Sequence, residues 1–247
     1  MCSVLELITA WKGWINMRVL AISPHPGYVE LMCGGTLAKF SEENNEVFIG
    51  HATFVSKDFP RFKDNEKLRK QAAQAASIIG AECLYGELAE LNSFDDRSFR
   101  DAVMDVIRAA RPDVILAPAL TSNHVDQRTF SELVFNAAYG STIPNYISPA
   151  GIEPSQTRAP IFYMDTINGV NFSPEVYVDT SQVWEKKVKM IQAYSELDWI
   201  SEYTGTELLQ MCETLSRVRG IQVQVEHSEC FQMEKAWGRL RAERVLP

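Results

Sequence analysis

Long apolar runs are missing from this 247-residue chain, and none approaches the roughly 20 residues that cross a bilayer. Cysteine pairs at metal-binding or redox spacing are missing too. Cys2, Cys33, Cys83, Cys212 and Cys230 are scattered, with no C-x-x-C. An odd, dispersed set without a secretory leader reads as the reduced thiols of a cytoplasmic protein. Positive charge is in deficit, with a net charge of -8, which argues against a general nucleic-acid surface. There is no G-x-G-x-x-G and no P-loop, so neither a dinucleotide nor an ATP signature. No G-x-S-x-G or Ser-His-Asp spacing offers a serine nucleophile.

What remains is ordinary in composition and ordered in pattern. Hydrophobic residues make up 46%, ample for a core, and the length suits one large α/β domain. Residues 1–16 precede a second methionine, Met17, and read as an N-terminal extension with Val4, Leu5, Ile8, Trp11 and Ile15 at helical spacing. Residues 17–247 then form the domain. Its organising stretch is 18–40. The apolar run 19–22 predicts a buried strand, and Ser23-Pro24-His25-Pro26-Gly27 breaks it. Val29, Leu31, Met32, Gly35, Leu37, Ala38 and Phe40 can then line the inner face of a helix. Further strands are predicted at 46–55, 82–85 and 113–118, and helices at 64–79, 98–110 and 126–139, with Gly80 stopping the first of these helices. This alternation predicts an open, mostly parallel sheet with helices on both faces. The Pro-, Ser-, Thr- and Asn-rich stretch 140–158 reads as a long functional loop. Strands at 160–165 and 176–179 and a helix at 181–195, capped by Ser181, follow. The last fifty residues carry no clear pattern.

Two histidine motifs follow strand ends, where open α/β sheets place their ligands. One is His25-Pro26, with Gly34-Gly35-Thr36 in the helix beyond it. The other is His124-Val125-Asp126-Gln127. Together they resemble the two motifs of the PIG-L/LmbE-like zinc deacetylases, which remove acetyl groups from N-acetylglucosamine units. Val29-Glu30 and Leu37-Ala38-Lys39 resemble the branch that acts in bacillithiol synthesis. Arg69, Ile167-Asn168-Gly169, Val178-Asp179 and Glu229-Cys230-Phe231 extend the likeness, so that it runs from Met17 to Phe231. The resemblance implies an LmbE-like, Rossmann-type α/β fold.

It also implies a site from which this chain departs. Family zinc ligands would stand at His25, Tyr28 and Gln127, the general base at Gly27, an oxyanion donor at His124 and an orienting carboxylate at Asp126. Arg69 would contact substrate and Glu229 would order the pocket wall. Here Gly27 and Tyr28 replace two aspartates, and Gln127 replaces a histidine. A phenol and a primary amide are poor zinc donors, and a catalytic zinc needs about three protein ligands. Without the ion, water keeps a pKa near 15.7 rather than about 7. The expectation is a deacetylase homologue with no metal cofactor, His25 being its only surviving ligand. It would bind a sugar or sugar conjugate through His25, Tyr28, Arg69, Gln127 and Glu229. The alternative is an active hydrolase of N-acetylglucosamine-type amides. Its site would be rebuilt with Glu30, Cys33 or His51, or would use His25 and His124 as a metal-free acid/base pair, with His124 and Asp126 the residual catalytic groups. The Tyr28 hydroxyl is expected to find Gln127 or His124. Neither nucleic acid nor a membrane is expected as a partner, and the family's frequent oligomerisation leaves a homo-oligomer open.

Overall fold

A computed structural model describes residues 16–54, 65–89, 97–194 and 205–235. Apart from Asn16, the proposed N-terminal extension lies outside the described residues. The strand β1 (Arg18–Ser23) is fully buried from Val19 onward, as expected of a strand covered on both faces. The chain then alternates through α1 (Tyr28–Glu42), β2 (Glu46–Phe54), α2 (Asn65–Ser77), β3 (Glu82–Ala89), α3 (Arg97–Ala110), β4 (Val114–Ala117), α4 (Val125–Gly140) and β5 (Ile161–Met164). It ends with β6 (Val176–Asp179), α5 (Trp184–Gln192), α6 (Leu208–Val223) and β7 (Ser228–Met233). The sheet order is β3-β2-β1-β4-β5-β7-β6, parallel from β3 to β5. Strand β7 runs antiparallel between β5 and β6.

Alternate strand residues feed two cores. Val19, Ala21, Ile49, Val114 and Leu116 pack beneath α1 and α2, while Leu20, Ile22, Phe48, Ile115 and Ala117 pack beneath α3 and α4. Strand order reverses between β1 and β4, so the ends of these two strands form the topological switch point. Both histidine motifs leave the sheet there.

Several local expectations are corrected. The strand predicted at 82–85 continues to Ala89. The helix predicted from Ser181 opens instead as a single 3-10 turn, and Asp179 Oδ1 accepts from both the Ser181 amide (3.0 Å) and hydroxyl (2.6 Å). With its hydroxyl donated to Asp179, Ser181 makes no cap bond to the turn that follows. The stretch 141–158 lies at the far end of α4 from His124, about 24 Å along a 16-residue helix. Buried Arg108 pins it by donating to the carbonyls of Ser141, Ile143 and Ile152. It is a fixed connection at the opposite sheet edge from the histidines.

Helix α1 is broken at Cys33, whose backbone (φ -142°, ψ 15°) is not helical. The break releases groups that a continuous helix would pair. The Leu31 carbonyl accepts from the Cys212 thiol at 3.3 Å. The Gly35 and Thr36 amides donate to Glu229 at 2.9 and 2.7 Å, and the Thr36 hydroxyl adds a third bond at 2.6 Å. Lys187 Nζ lies 2.6 Å from the same carboxylate, and both side chains are 2% exposed. Gly35 is required at this point, because a Cβ there would stand 2.8 Å from Thr180 and 3.1 Å from Glu229.

Glu229→Leu should therefore destabilise the protein by about 3–5 kcal/mol, because it strands a buried ammonium and two helix amides. Adding Lys187→Met should recover part of that loss. Chemical denaturation of the two variants checks this, and equal losses would contradict it.

Candidate functional site

Two strand-to-helix turns build the site. After β1, the Ser23 hydroxyl donates to the His25 carbonyl at 2.7 Å and closes the turn. Gly27 then starts α1 with φ +87°, in the left-handed region, and supplies no side-chain cap. After β4, His124 is the N-cap of α4 and its Nδ1 accepts from the Asp126 amide at 3.2 Å. In neutral His124 that bond puts the ring proton on Nε2.

The turns bring three side chains together. His25 and His124 meet edge to face with ring centroids 4.8 Å apart. His25 Nε2 lies 3.5 Å from Asp126 Oδ2. The ligand-capable atoms of His25, His124 and Asp126 all fall within 4.8 Å of one another. Asp126 is buried, His25 half-buried and His124 exposed. Burial, and then the neighbouring His124, hold His25 down to a pKa of about 3. Burial also lowers His124, against the opposing pull of Asp126. Burial thus favours the neutral form of both rings.

The other positions implied by the resemblance have partners of their own. The Tyr28 ring is buried, and its hydroxyl donates to the Asp165 carbonyl at 3.1 Å rather than to Gln127 or His124. Burial, then Asp165 and Cys33, push that phenol above its ordinary range, so it offers no phenolate. Gln127 is buried, and its Oε1 accepts a short hydrogen bond from the Ser122 hydroxyl. Arg69 stands over the Tyr85 ring at 5.4 Å, beside a strand two spacings (about 9–10 Å) from β1. Glu229 is taken up by the α1 break. A zinc ion held by the family positions 25, 28 and 127 does not fit this arrangement. The donors at 28 and 127 are weak ones, and both are engaged within the protein.

The three expected replacement ligands are also placed elsewhere. Cys33 sits in the core at the break of α1. Glu30 is fully buried and accepts from the Tyr194 hydroxyl at 2.7 Å. Burial, opposed by that bond and by the amides at the helix start, pushes Glu30 up to about 7. His51 is fully buried, stacks on Tyr85, and has no hydrogen bond to either ring nitrogen among the described residues. Burial holds it down to about 3. Asp126, an orienting carboxylate by the resemblance, lies beside His25. Its place one turn into α4, two residues after His124, was the available signal.

An open parallel sheet with paired histidines at its switch point defines an α/β protein with a site for a small ligand. Residues 20–138 match the profile of the PIG-L family, described as GlcNAc-PI de-N-acetylase. It is 24% identical over 189 residues to diacetylchitobiose deacetylase of Thermococcus kodakarensis, covering 72% of this chain and 68% of that one. It is 29% identical over 156 residues to 2'-N-acetylparomamine deacetylase of Streptomyces fradiae, covering 51% of this chain and 53% of the relative. Among solved structures it shares its fold with GalB, the 4-carboxy-2-hydroxymuconate hydratase of Pseudomonas putida KT2440. That match has a TM-score of 0.74 and 18% identity, and covers 92% of this chain and all of GalB. No helix among the described residues is long and apolar enough to cross a membrane.

The buried titratable groups give a signed pH dependence. Between pH 6.5 and 3 the unfolded chain binds protons that folded His25 and His51 refuse. Each therefore withdraws up to about 1.4 kcal/mol per unit as pH falls through that window. Glu30 acts in the opposite sense between pH 7 and 4.5, where the folded state holds the extra proton. His51→Leu should be more stable than the parent at pH 7, since it removes a buried polar ring that lacks a hydrogen bond. That advantage should grow as pH falls from 6.5 towards 4. Denaturant unfolding at each pH measures it, and a pH-independent difference would contradict a neutral buried His51.

Proposed function

We propose that this chain is a PIG-L-family homologue that binds a sugar or sugar conjugate and has lost the family's zinc-dependent deacetylation. The observation that carries the reading is Tyr28, buried and bonded to the Asp165 carbonyl at a position where the family resemblance calls for a zinc carboxylate. Gly27 compounds the loss. It has no carboxylate to take a proton from water, and its φ of +87° is a conformation that an aspartate would adopt only with strain. The deacetylases of T. kodakarensis and S. fradiae support a ligand of acetylamino-sugar type. In the proposed site His25, His124 and Asp126 present the polar groups, Tyr28 and Gln127 shape the wall, and Arg69 and Glu229 support it from a distance. We place the protein in the cytoplasm, as one domain over residues 17–247, with self-assembly left open.

A second reading is favoured by the proximity of His25, His124 and Asp126. It is an active amide hydrolase that uses the two histidines as an acid/base pair or a rebuilt centre. Fold alone does not choose between these readings, because one fold hosts different chemistries.

Calorimetric titration with diacetylchitobiose, run beside an acetate-release assay with and without added zinc, separates them. Saturable binding that His25→Ala weakens, with no acetate release above the uncatalysed rate, is expected. Turnover lost in His25→Ala or His124→Ala would establish the second reading instead. Rebuilding should be non-additive. Tyr28→Asp with Gln127→His should raise zinc affinity, and only the further Gly27→Asp change should give acetate release, limited by the strained backbone. A folded double variant with unchanged zinc affinity would show that these positions do not converge.

A further inference from the structure

We infer that His25, His124 and Asp126 form a divalent transition-metal site that shares only His25 with the ligand positions implied by the family. The inference rests on the proposed loss of the family's zinc positions, and it concerns what the remaining donors can hold. The geometry carries it. His25 Nε2 and Asp126 Oδ2 are 3.5 Å apart. That is long for a charge-assisted N–H···O bond, which falls at about 2.7–2.9 Å. It matches the edge of a coordination tetrahedron with metal–ligand bonds of about 2.0–2.2 Å, roughly 3.3–3.5 Å. These two donors are already spaced to share one ion. The third is within reach, since all three ligand atoms fall within 4.8 Å of one another.

The pieces differ in rigidity in a useful way. His25 is fixed by a turn that the Ser23 hydroxyl closes. Asp126 is buried in the first turn of α4. His124 is exposed at the helix start, and its ring reaches the ion by giving up the Nδ1 bond to the Asp126 amide. Two imidazoles and a carboxylate with open positions is a ligand set suited to zinc, cobalt or nickel. A cation there would anchor an oxygen of the bound ligand. With glycine at position 27, no carboxylate in that turn is poised to deprotonate a water, so such a site serves binding.

The test uses the metal alone and reads no activity. The apo protein is titrated with cobalt(II) by visible absorption and with zinc(II) by calorimetry. One ion per chain is expected, with the intense visible bands of low-coordinate cobalt. His124→Asn, which keeps a good helix cap, and Asp126→Asn should each weaken binding at least about tenfold, with melting curves confirming that both variants fold. Absence of saturable binding in the parent would overturn the inference. So would binding that survives both variants, or binding weakened by Gln127→Ala but not by His124→Asn, which would return the ion to the family positions. Because diacetylchitobiose binding is measured separately, loss of the sugar reading would leave this result standing, and the reverse holds too.

Discussion

The break in α1 at Cys33 is the constraint from which the rest of the architecture follows. A helix entering the sheet's switch point must bring its first turn close to β1, while its later turns pack under α5 and β7. The break allows both, at the cost of unpaired helix groups inside the core. Glu229 takes the released donors, Cys212 takes a released acceptor, and Lys187 neutralises the carboxylate. One residue from β7 thus fixes the helix that begins beside His25, and it links the antiparallel edge of the sheet to its centre. A fully satisfied polar cluster of this kind holds one geometry, whereas a partly satisfied one is costly.

The site shows how polar side chains are accommodated on such a scaffold. A buried carboxylate next to an ion needs the ion. When the ion's ligands are replaced, the side chains that succeed them must find protein partners or be expelled. Tyr28 turned its hydroxyl to a backbone carbonyl and its ring to the core. Gln127 took the Ser122 hydroxyl. His25 and His124, on the stiff turns of β1 and β4, stand where the sheet puts them, next to Asp126 and to each other. One cause thus places both sets of residues: turns fixed by the sheet hold the histidines, and side chains on the helix faces take the partners that packing offers.

Much of this was legible from residue order. The apolar runs at 19–22 and 114–117 gave buried central strands, Gly80 marked a helix end with φ +67°, and the alternation of elements gave a parallel sheet. What residue order could not supply was partner choice. Nothing local distinguishes a Tyr28 hydroxyl bound for Gln127 from one bound for Asp165, 137 positions away. The same holds for Glu229, a pocket-wall carboxylate by resemblance and a helix clamp in the fold, since the helix amides it accepts from lie more than 190 residues distant. The 140–158 stretch had loop composition, but only the direction of α4 shows that it emerges at the edge away from the site. Ser181 had the chemistry of a cap, but its hydroxyl is donated to Asp179 two residues earlier.

The proposed loss of the metal-binding positions implied by the family, with the histidines of the two turns kept together, is open to one direct test. Anomalous diffraction from crystals of the protein soaked in zinc locates an ion and its ligands in one experiment. The account predicts that any ion sits between His25, His124 and Asp126, with the Tyr28 hydroxyl still on the Asp165 carbonyl and Gln127 still on Ser122. An ion ligated through Gln127, with Tyr28 displaced from Asp165 to make room for it, would contradict the account.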